Sequence, residues 1–97
     1  MKVYDKAAWH IDGNENPKEV VARFNEIFKF LAENKLLSPD GEEIYELGID
    51  SSASLNSSMV TKDGAQFLKQ YYDEVLKKNP AKIKKALVDA YKQYQTK

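Results

Sequence analysis

The stretch NPKEVVARFNEIFKFLAEN, residues 16–34, decides the fold because it contains the signals of a long amphipathic helix. Asn16 can accept hydrogen bonds from the first free backbone N–H groups, and Pro17 follows where its missing N–H costs nothing. Apolar side chains then recur with helical spacing at Val20, Val21, Phe24, Ile27, Phe28 and Leu31. These residues predict a helix from Pro17 to about Glu33, ended by a left-handed conformation at Asn34.

The residues after this helix predict a small β element. The sequence SPDG, residues 38–41, has proline and glycine where a β-turn favours them. Tyr45, Leu47 and Ile49 then alternate with polar residues or glycine, which is the pattern of a strand with one buried face. The serine-rich residues 51–58 fit either a second strand or an irregular loop, and propensity does not decide between the two.

Two further helices are predicted in the C-terminal third of the chain. Thr61 is a suitable N-cap for the first, and Asn79-Pro80 repeats the cap-and-proline arrangement of Asn16-Pro17 for the second. The predicted fold class is therefore α+β, mostly helical, in one domain spanning residues 1–97. It has three main helices, with a small β-hairpin or strand pair between the first and the second.

Composition and charge exclude several classes of protein for this chain. The chain has no cysteine, so disulfides and thiolate metal sites are excluded. Its net charge is zero, but residues 1–60 carry five more acidic than basic side chains and residues 61–97 carry five more basic than acidic ones. No apolar run reaches the roughly 18 residues of a membrane span, and the first residues lack the apolar region of a secretory signal. We therefore expect a cytoplasmic protein.

Trp9 and His10, the only tryptophan and the only histidine, are adjacent. We interpret Trp9 as a hydrophobic plug that packs against the first two long helices, with an exposed contact patch as the alternative. We interpret His10 as a structural residue bonded to backbone or to a nearby aspartate. A hydrolase centred on His10 is a weaker hypothesis, because the chain has no Gly-x-Ser-x-Gly nucleophile elbow.

Metal binding is poorly supported by the sequence. Asp12, Asn14 and Asn16 fall at the first three ligand positions of an EF-hand loop, but Pro17 and Arg23 replace the glycine and the glutamate that such a loop requires. A zinc site would have one histidine and no cysteine available to it. We expect no metal ion and no cofactor.

The strongest candidate for a binding surface is an acidic series. Its members are Asp40, Glu42, Glu43, Glu46 and Asp50. Such a series is either a solvated face or a surface that docks a basic protein, where its charge accelerates association and adds specificity. We expect a non-enzymatic protein-binding module that uses these residues to contact another protein.

The alternative function is association with nucleic acid through the lysine-rich C-terminal helices. The lysines concerned are Lys77, Lys78, Lys82, Lys84 and Lys85, with Tyr91 and Tyr94 as aromatic neighbours. However, the chain has a single arginine, Arg23, and zero net charge, whereas nucleic-acid affinity depends heavily on neutralising phosphates. The sequence favours the protein-binding hypothesis.

One resemblance bears on the class of function. The N-terminal residues Tyr4, Asp5, Ala7, Trp9 and His10 form a Tyr-Asp-x-Ala-x-Trp-His motif. With the later stretches FLAENKLLS and GAQFLKQYYDEVL, the motif resembles small bacterial proteins that look like immunity or accessory components of polymorphic toxin systems. The resemblance implies a role in protein binding, but it implies no enzymatic activity and no site residues. It does not extend to the middle of the chain between Asp40 and Val60.

Overall fold

The computed structural model describes residues 1–96, and within them the fold is mostly helical α+β, as predicted from the sequence. It has five α-helices rather than three in this part of the chain, together with a two-stranded antiparallel sheet. The elements are β1 (Val3–Lys6), α1 (Ala7–Asp12), α2 (Pro17–Glu33), α3 (Pro39–Leu47), β2 (Ser54–Asn56), α4 (Lys62–Tyr71) and α5 (Ile83–Gln95).

The long helix α2 confirms the prediction made for residues 17–33. The Asn16 side-chain oxygen accepts hydrogen bonds from the backbone N–H groups of Lys18 and Glu19, at 2.9 and 3.3 Å. The predicted left-handed conformation at Asn34 is wrong, since Asn34 has a φ of −101° and Lys35 has a φ of 58°. The physical reason is that Asn34 still continues the last turn, since its backbone N–H donates to the Phe30 carbonyl at 3.1 Å and its side-chain amide donates to the same oxygen at 2.8 Å.

The residues predicted as a turn and a strand form helix α3 instead. Ser38 is the N-cap, because its hydroxyl oxygen accepts from the Gly41 N–H at 3.2 Å, and Pro39 occupies the first helical position. A serine-proline pair opens a helix as readily as it opens a turn. Of the alternating residues, Tyr45 is half-buried in α3, Leu47 is exposed and Ile49 lies beyond the helix, so the alternation does not mark a buried face, and only Gly41 of α3 is buried.

The sheet pairs the serine-rich segment with the N-terminus and not with residues 45–49. β1 and β2 are antiparallel, with Val3 opposite Asn56 and Lys6 opposite Ser54, and a register irregularity lies between Val3 and Asp5. The predicted hairpin between the first two long helices is therefore wrong. Tertiary pairing over about 50 residues determines which segments become strands, and local alternation does not report it.

The C-terminal helices follow the predicted order with two changes. The Thr61 hydroxyl accepts from the Gly64 N–H at 3.0 Å, as expected of an N-cap, but the helix continues past α4 as a π-helical turn over Tyr72–Leu76. Asn79 does not cap α5, because its side chain donates to the Val75 carbonyl at 2.7 Å and so closes the preceding turn. A short 3-10 turn at Pro80–Lys82 then leads into α5.

Trp9 is not part of the core, so the predicted plug is wrong. Its side chain is 53% exposed, whereas Ala7 of the same helix is fully buried and Ile11 packs against the core. Residues 7 and 11 lie one helical turn apart on the inner face of α1, which turns residue 9 outward. The largest fully buried side chains are Phe24, Phe28 and Phe67, from α2 and α4.

No helix within residues 1–96 is both long enough and apolar enough to cross a membrane.

Candidate functional site

The structure brings four of the five predicted acidic residues onto one short helix. Asp40, Glu42, Glu43 and Glu46 all belong to α3, and all four side chains are exposed. The helix contains no lysine, arginine or histidine to balance them. Glu46 was expected within a strand, but these four acidic residues are exposed together on the helix instead.

Two apolar side chains lie in the same exposed surface. Leu47 is 78% exposed and Ile44 is 36% exposed. Asp40, Glu43, Ile44 and Leu47 are spaced at i, i+3, i+4 and i+7, so they form one stripe along the helix. We call the surface formed by the six residues Asp40, Glu42, Glu43, Ile44, Glu46 and Leu47 the α3 face.

The α3 face points away from the core because the opposite side of the helix, which contains Gly41, packs closely against the rest of the fold. A Cβ atom at Gly41 would lie 1.9 Å from the Met59 carbonyl oxygen, so only glycine permits this close approach. Tyr45 is half-buried and supplies the main side-chain contact of α3 with the core. The rest of the helix is presented to solvent.

Asp50, the fifth predicted acidic residue, lies beyond α3 in the turn that leads to β2. Its carboxylate accepts hydrogen bonds from the Ser52 hydroxyl at 2.5 Å and from the Ser52 N–H at 2.8 Å. These two bonds lower the pKa of Asp50, so the carboxylate stays ionised to lower pH. Asp50 also borders an open groove of about 550 Å³, whose apolar wall includes Val21 and Ile49.

His10 occupies the centre of a second, partly buried cluster where α1 meets β1 and α2. Its Nε2 atom lies 2.7 Å from the Asp5 carboxylate, and its Nδ1 atom lies 2.7 Å from the Glu15 carboxylate. The Tyr72 hydroxyl donates to the same Asp5 oxygen at 2.5 Å, and Arg23 donates to Glu15 at 3.2 Å. The prediction of an aspartate bonded to His10 agrees with this geometry.

The electrostatics of this cluster are those of a satisfied network. Burial, followed by the charge of Asp5, raises the pKa of the Tyr72 hydroxyl far above its ordinary value, so Tyr72 remains a donor. Burial alone would raise the pKa of Glu15, but the hydrogen bonds and charges of His10 and Arg23 outweigh it and lower that pKa. Within residues 1–96, no buried side-chain nitrogen or oxygen lacks a hydrogen-bond partner.

This arrangement does not resemble a nucleophile and its base. Both ring nitrogens of His10 face carboxylates, so neither is directed at a serine hydroxyl. Among the described residues, no group of three or more His, Asp or Glu side chains is arranged to bind a metal ion. Sequence reasoning missed Glu15, Arg23 and Tyr72 as partners, because Tyr72 is 67 positions from Asp5 and no local pattern connects the two.

Trp9 and the C-terminal lysines are the remaining candidates. The Trp9 ring has the Lys6 ammonium 5.8 Å from its centroid and is otherwise turned to solvent. In the lysine group, Lys78 pairs with Glu74 at 3.7 Å and Lys84 pairs with Glu26 at 3.6 Å. The neighbouring Tyr91 and Tyr94 rings pack against Phe67, and the Tyr94 hydroxyl donates to Asp63, so these rings are engaged within the fold.

Comparison with known proteins returns nothing that bears on the site. No protein-family model matches the chain. No curated protein and no solved structure is significantly similar to it. The function is therefore argued from the residues themselves.

Proposed function

We propose that the chain is a non-enzymatic protein-binding module that docks a basic surface of another protein through the α3 face. The observation that carries the proposal is an exposed helix with four carboxylates, no basic side chain, and a leucine that is 78% exposed. The acidic residues supply long-range attraction to a basic partner. Ile44 and Leu47 supply apolar area that becomes buried on contact.

The energetics of α3 support this assignment. A helix of nine residues is marginal by itself, and α3 gains little from burying its own side chains. Its position is instead fixed by the Ser38 cap and by the contact of Gly41 with the Met59 backbone. The carboxylates of this fixed helix can steer a basic partner toward it. Ile44 and Leu47 can then be buried against that partner and anchor the complex.

We further propose that the module is of the immunity or accessory type. This part of the proposal rests on the resemblance carried by the Tyr-Asp-x-Ala-x-Trp-His motif at residues 4–10. A protein of this type acts by occupying a surface of its partner, so it needs an exposed docking face and no reactive group. Trp9, exposed beside Lys6, is the second contact candidate, because tryptophan is enriched among residues that dominate binding energy.

Because the resemblance implies a component encoded among the genes of a toxin system, the test uses the product of the neighbouring gene as the partner. The double variant Glu43→Lys/Leu47→Ser changes the α3 face, and Val88→Ser/Asp89→Lys makes the matched changes on α5, where both residues are also exposed. We expect the control to bind like the wild type and the α3 variant to bind at least about tenfold more weakly. The association rate of the wild type should fall as salt is raised.

Equal binding by the α3 variant and the wild type would contradict the proposal. Salt-dependent binding to generic duplex DNA, lost when Lys82 and Lys85 are replaced by glutamine, would favour the nucleic-acid alternative instead. Loss of function in a folded His10→Ala protein would favour the hydrolase hypothesis.

A further inference from the structure

The His10 ring lies between two carboxylates at equal distances. Nε2 is 2.7 Å from Asp5 and Nδ1 is 2.7 Å from Glu15. A neutral imidazole has one N–H, and its other nitrogen carries a lone pair that repels a carboxylate oxygen. Both contacts are hydrogen bonds only when each ring nitrogen carries a proton, which makes His10 an imidazolium.

We propose that Asp5, His10 and Glu15 form a proton-dependent clasp that closes the corner between α1 and α2. The clasp is complete while His10 carries both ring protons, and it releases Glu15 when one proton is lost. This inference goes beyond the proposed function, because it concerns α1 and the following loop and not the α3 face.

The two sides of the clasp differ in what they retain when the proton leaves. The Asp5 side chain is 2% exposed and still accepts from the Tyr72 hydroxyl and from the Lys6 N–H. The Glu15 side chain is 43% exposed, so water can solvate it directly, and Arg23, which donates to it at 3.2 Å, remains its partner when it leaves the ring. Because an unsolvated carboxylate needs its donors most, the remaining ring proton stays on Nε2 and Glu15 is the group that moves away.

Groups of both charges surround the ring in the closed form. Asp5 comes from β1 and Glu15 from the loop, while α2 contributes Arg23 and the ring of Phe24, 6.0 Å from the His10 ring. The π-helical turn contributes Tyr72, whose environment also includes the charge of Asp73. Two carboxylates in direct contact with the ring and one guanidinium beyond Glu15 leave the imidazolium balanced by opposite charge.

The segment that the clasp controls is the loop at residues 13–16. The N–H groups of Gly13 and Glu15 both donate to the His10 carbonyl at 3.1 Å, and Asn14 has a φ of 73°. The left-handed conformation of Asn14 reverses the direction of the chain after α1, and this reversal brings the Glu15 side chain back to the His10 ring. Loss of the Glu15 side-chain bond therefore removes one of the constraints that hold α1 against the start of α2.

The experiment is a pH titration of the full chain between about pH 5 and pH 9. Nitrogen-15 spectra of the His10 ring report which nitrogens carry protons, and amide hydrogen exchange at residues 13–16 reports opening, each normalised to amides of α5. We expect loop opening to increase about three- to fivefold across the step in which the ring loses one of its two protons, with the remaining proton on Nε2, in line with one half-exposed charge pair.

Two variants make the titration decisive. Glu15→Gln removes the charge, and its amide can accept from a protonated Nδ1 or donate to an unprotonated one, so the step in exchange should disappear. Glu19→Gln, an exposed residue of the first turn of α2, should keep the wild-type step. The proposal is overturned by a ring that carries a single proton while the loop is closed, by wild-type exchange that shows no step, or by a step that persists in Glu15→Gln.

Discussion

The Tyr72 hydroxyl donates a hydrogen bond to the carboxylate of Asp5, which lies 67 positions earlier in the chain and is almost fully buried. This bond joins the N-terminal strand to the π-helical turn that follows α4. π-Helical turns are rare, and here the turn begins at the residue that makes the long-range bond. The N-terminus is thereby fixed to the C-terminal half of the fold by a polar contact as well as by packing.

Replacing Tyr72 with phenylalanine tests the strength of that contact. We expect Tyr72→Phe to lower the free energy of unfolding by about 2 kcal/mol, because a hydrogen bond to a buried charged group is lost and Asp5 stays desolvated. Chemical denaturation measures the change. Tyr91→Phe is the control, since its hydroxyl has no hydrogen bond among residues 1–96, and an equal loss in both variants would show that the bond to Asp5 contributes nothing specific.

Gly41 should be intolerant of any side chain. Gly41→Ala places a Cβ atom 1.9 Å from the Met59 carbonyl oxygen, so α3 has to move away, at an expected cost of about 2–3 kcal/mol. Gly13→Ala is the matched control, because its Cβ would meet its nearest neighbour at 3.4 Å and its φ of −83° suits alanine. Thermal melting of both variants decides the matter, and equal melting temperatures would contradict the account of α3.

Trp9 should contribute little to stability. We expect Trp9→Ala to change the free energy of unfolding by less than about 1 kcal/mol, because more than half of the ring is already in water. Phe24→Ala, at a fully buried position, should cost about 3–5 kcal/mol in the same denaturation experiment. A loss of about 3–5 kcal/mol for Trp9→Ala would contradict the exposed position of the indole and would indicate that it packs in the core.

Glu15 should stabilise the fold at neutral pH and lose this effect in acid. Its pKa is lowered in the folded state from an ordinary value of 4.5, so its contribution is present above about pH 4.5 and is lost as the pH falls through the folded-state pKa. The Glu15 side chain is 43% exposed, so we expect its interactions with His10 and Arg23 to contribute less than about 1 kcal/mol to the free energy of unfolding at pH 6.

The measurement for this prediction is the difference in unfolding free energy between the wild type and Glu15→Gln from pH 6 to pH 3. The difference should shrink toward zero as the pH falls. A difference that grows in acid would mean that the sign of the Glu15 interaction is wrong.

Sequence reasoning succeeded where local chemistry decides the outcome. The start of α2 at Asn16-Pro17 and the start of α4 at Thr61 are both as predicted, because a cap side chain bonds to N–H groups two or three residues away. The exposed acidic series was also found, since consecutive carboxylates without basic neighbours are rarely buried.

Sequence reasoning failed where a local signal has two meanings or where distant contacts decide. Ser38-Pro39 suits both a turn and a helix start, and the choice depends on the approach of Gly41 to Met59 across the fold. Trp9 was placed in the core because tryptophan usually is, yet the period of α1 turns it outward. The pairing of β1 with β2 and the bond from Tyr72 to Asp5 depend on contacts that span more than half of the chain.

The central claim is that the α3 face is the docking surface, and a hydrogen-exchange footprint of the complex tests it most directly. The wild-type chain is measured alone and with the product of the neighbouring gene bound to it. The account predicts that protection from exchange appears in α3 and the adjoining residues up to Asp50, and that Val88 and its neighbours on α5 are unchanged. Protection confined to α5, with α3 exchanging as in the free chain, would contradict it.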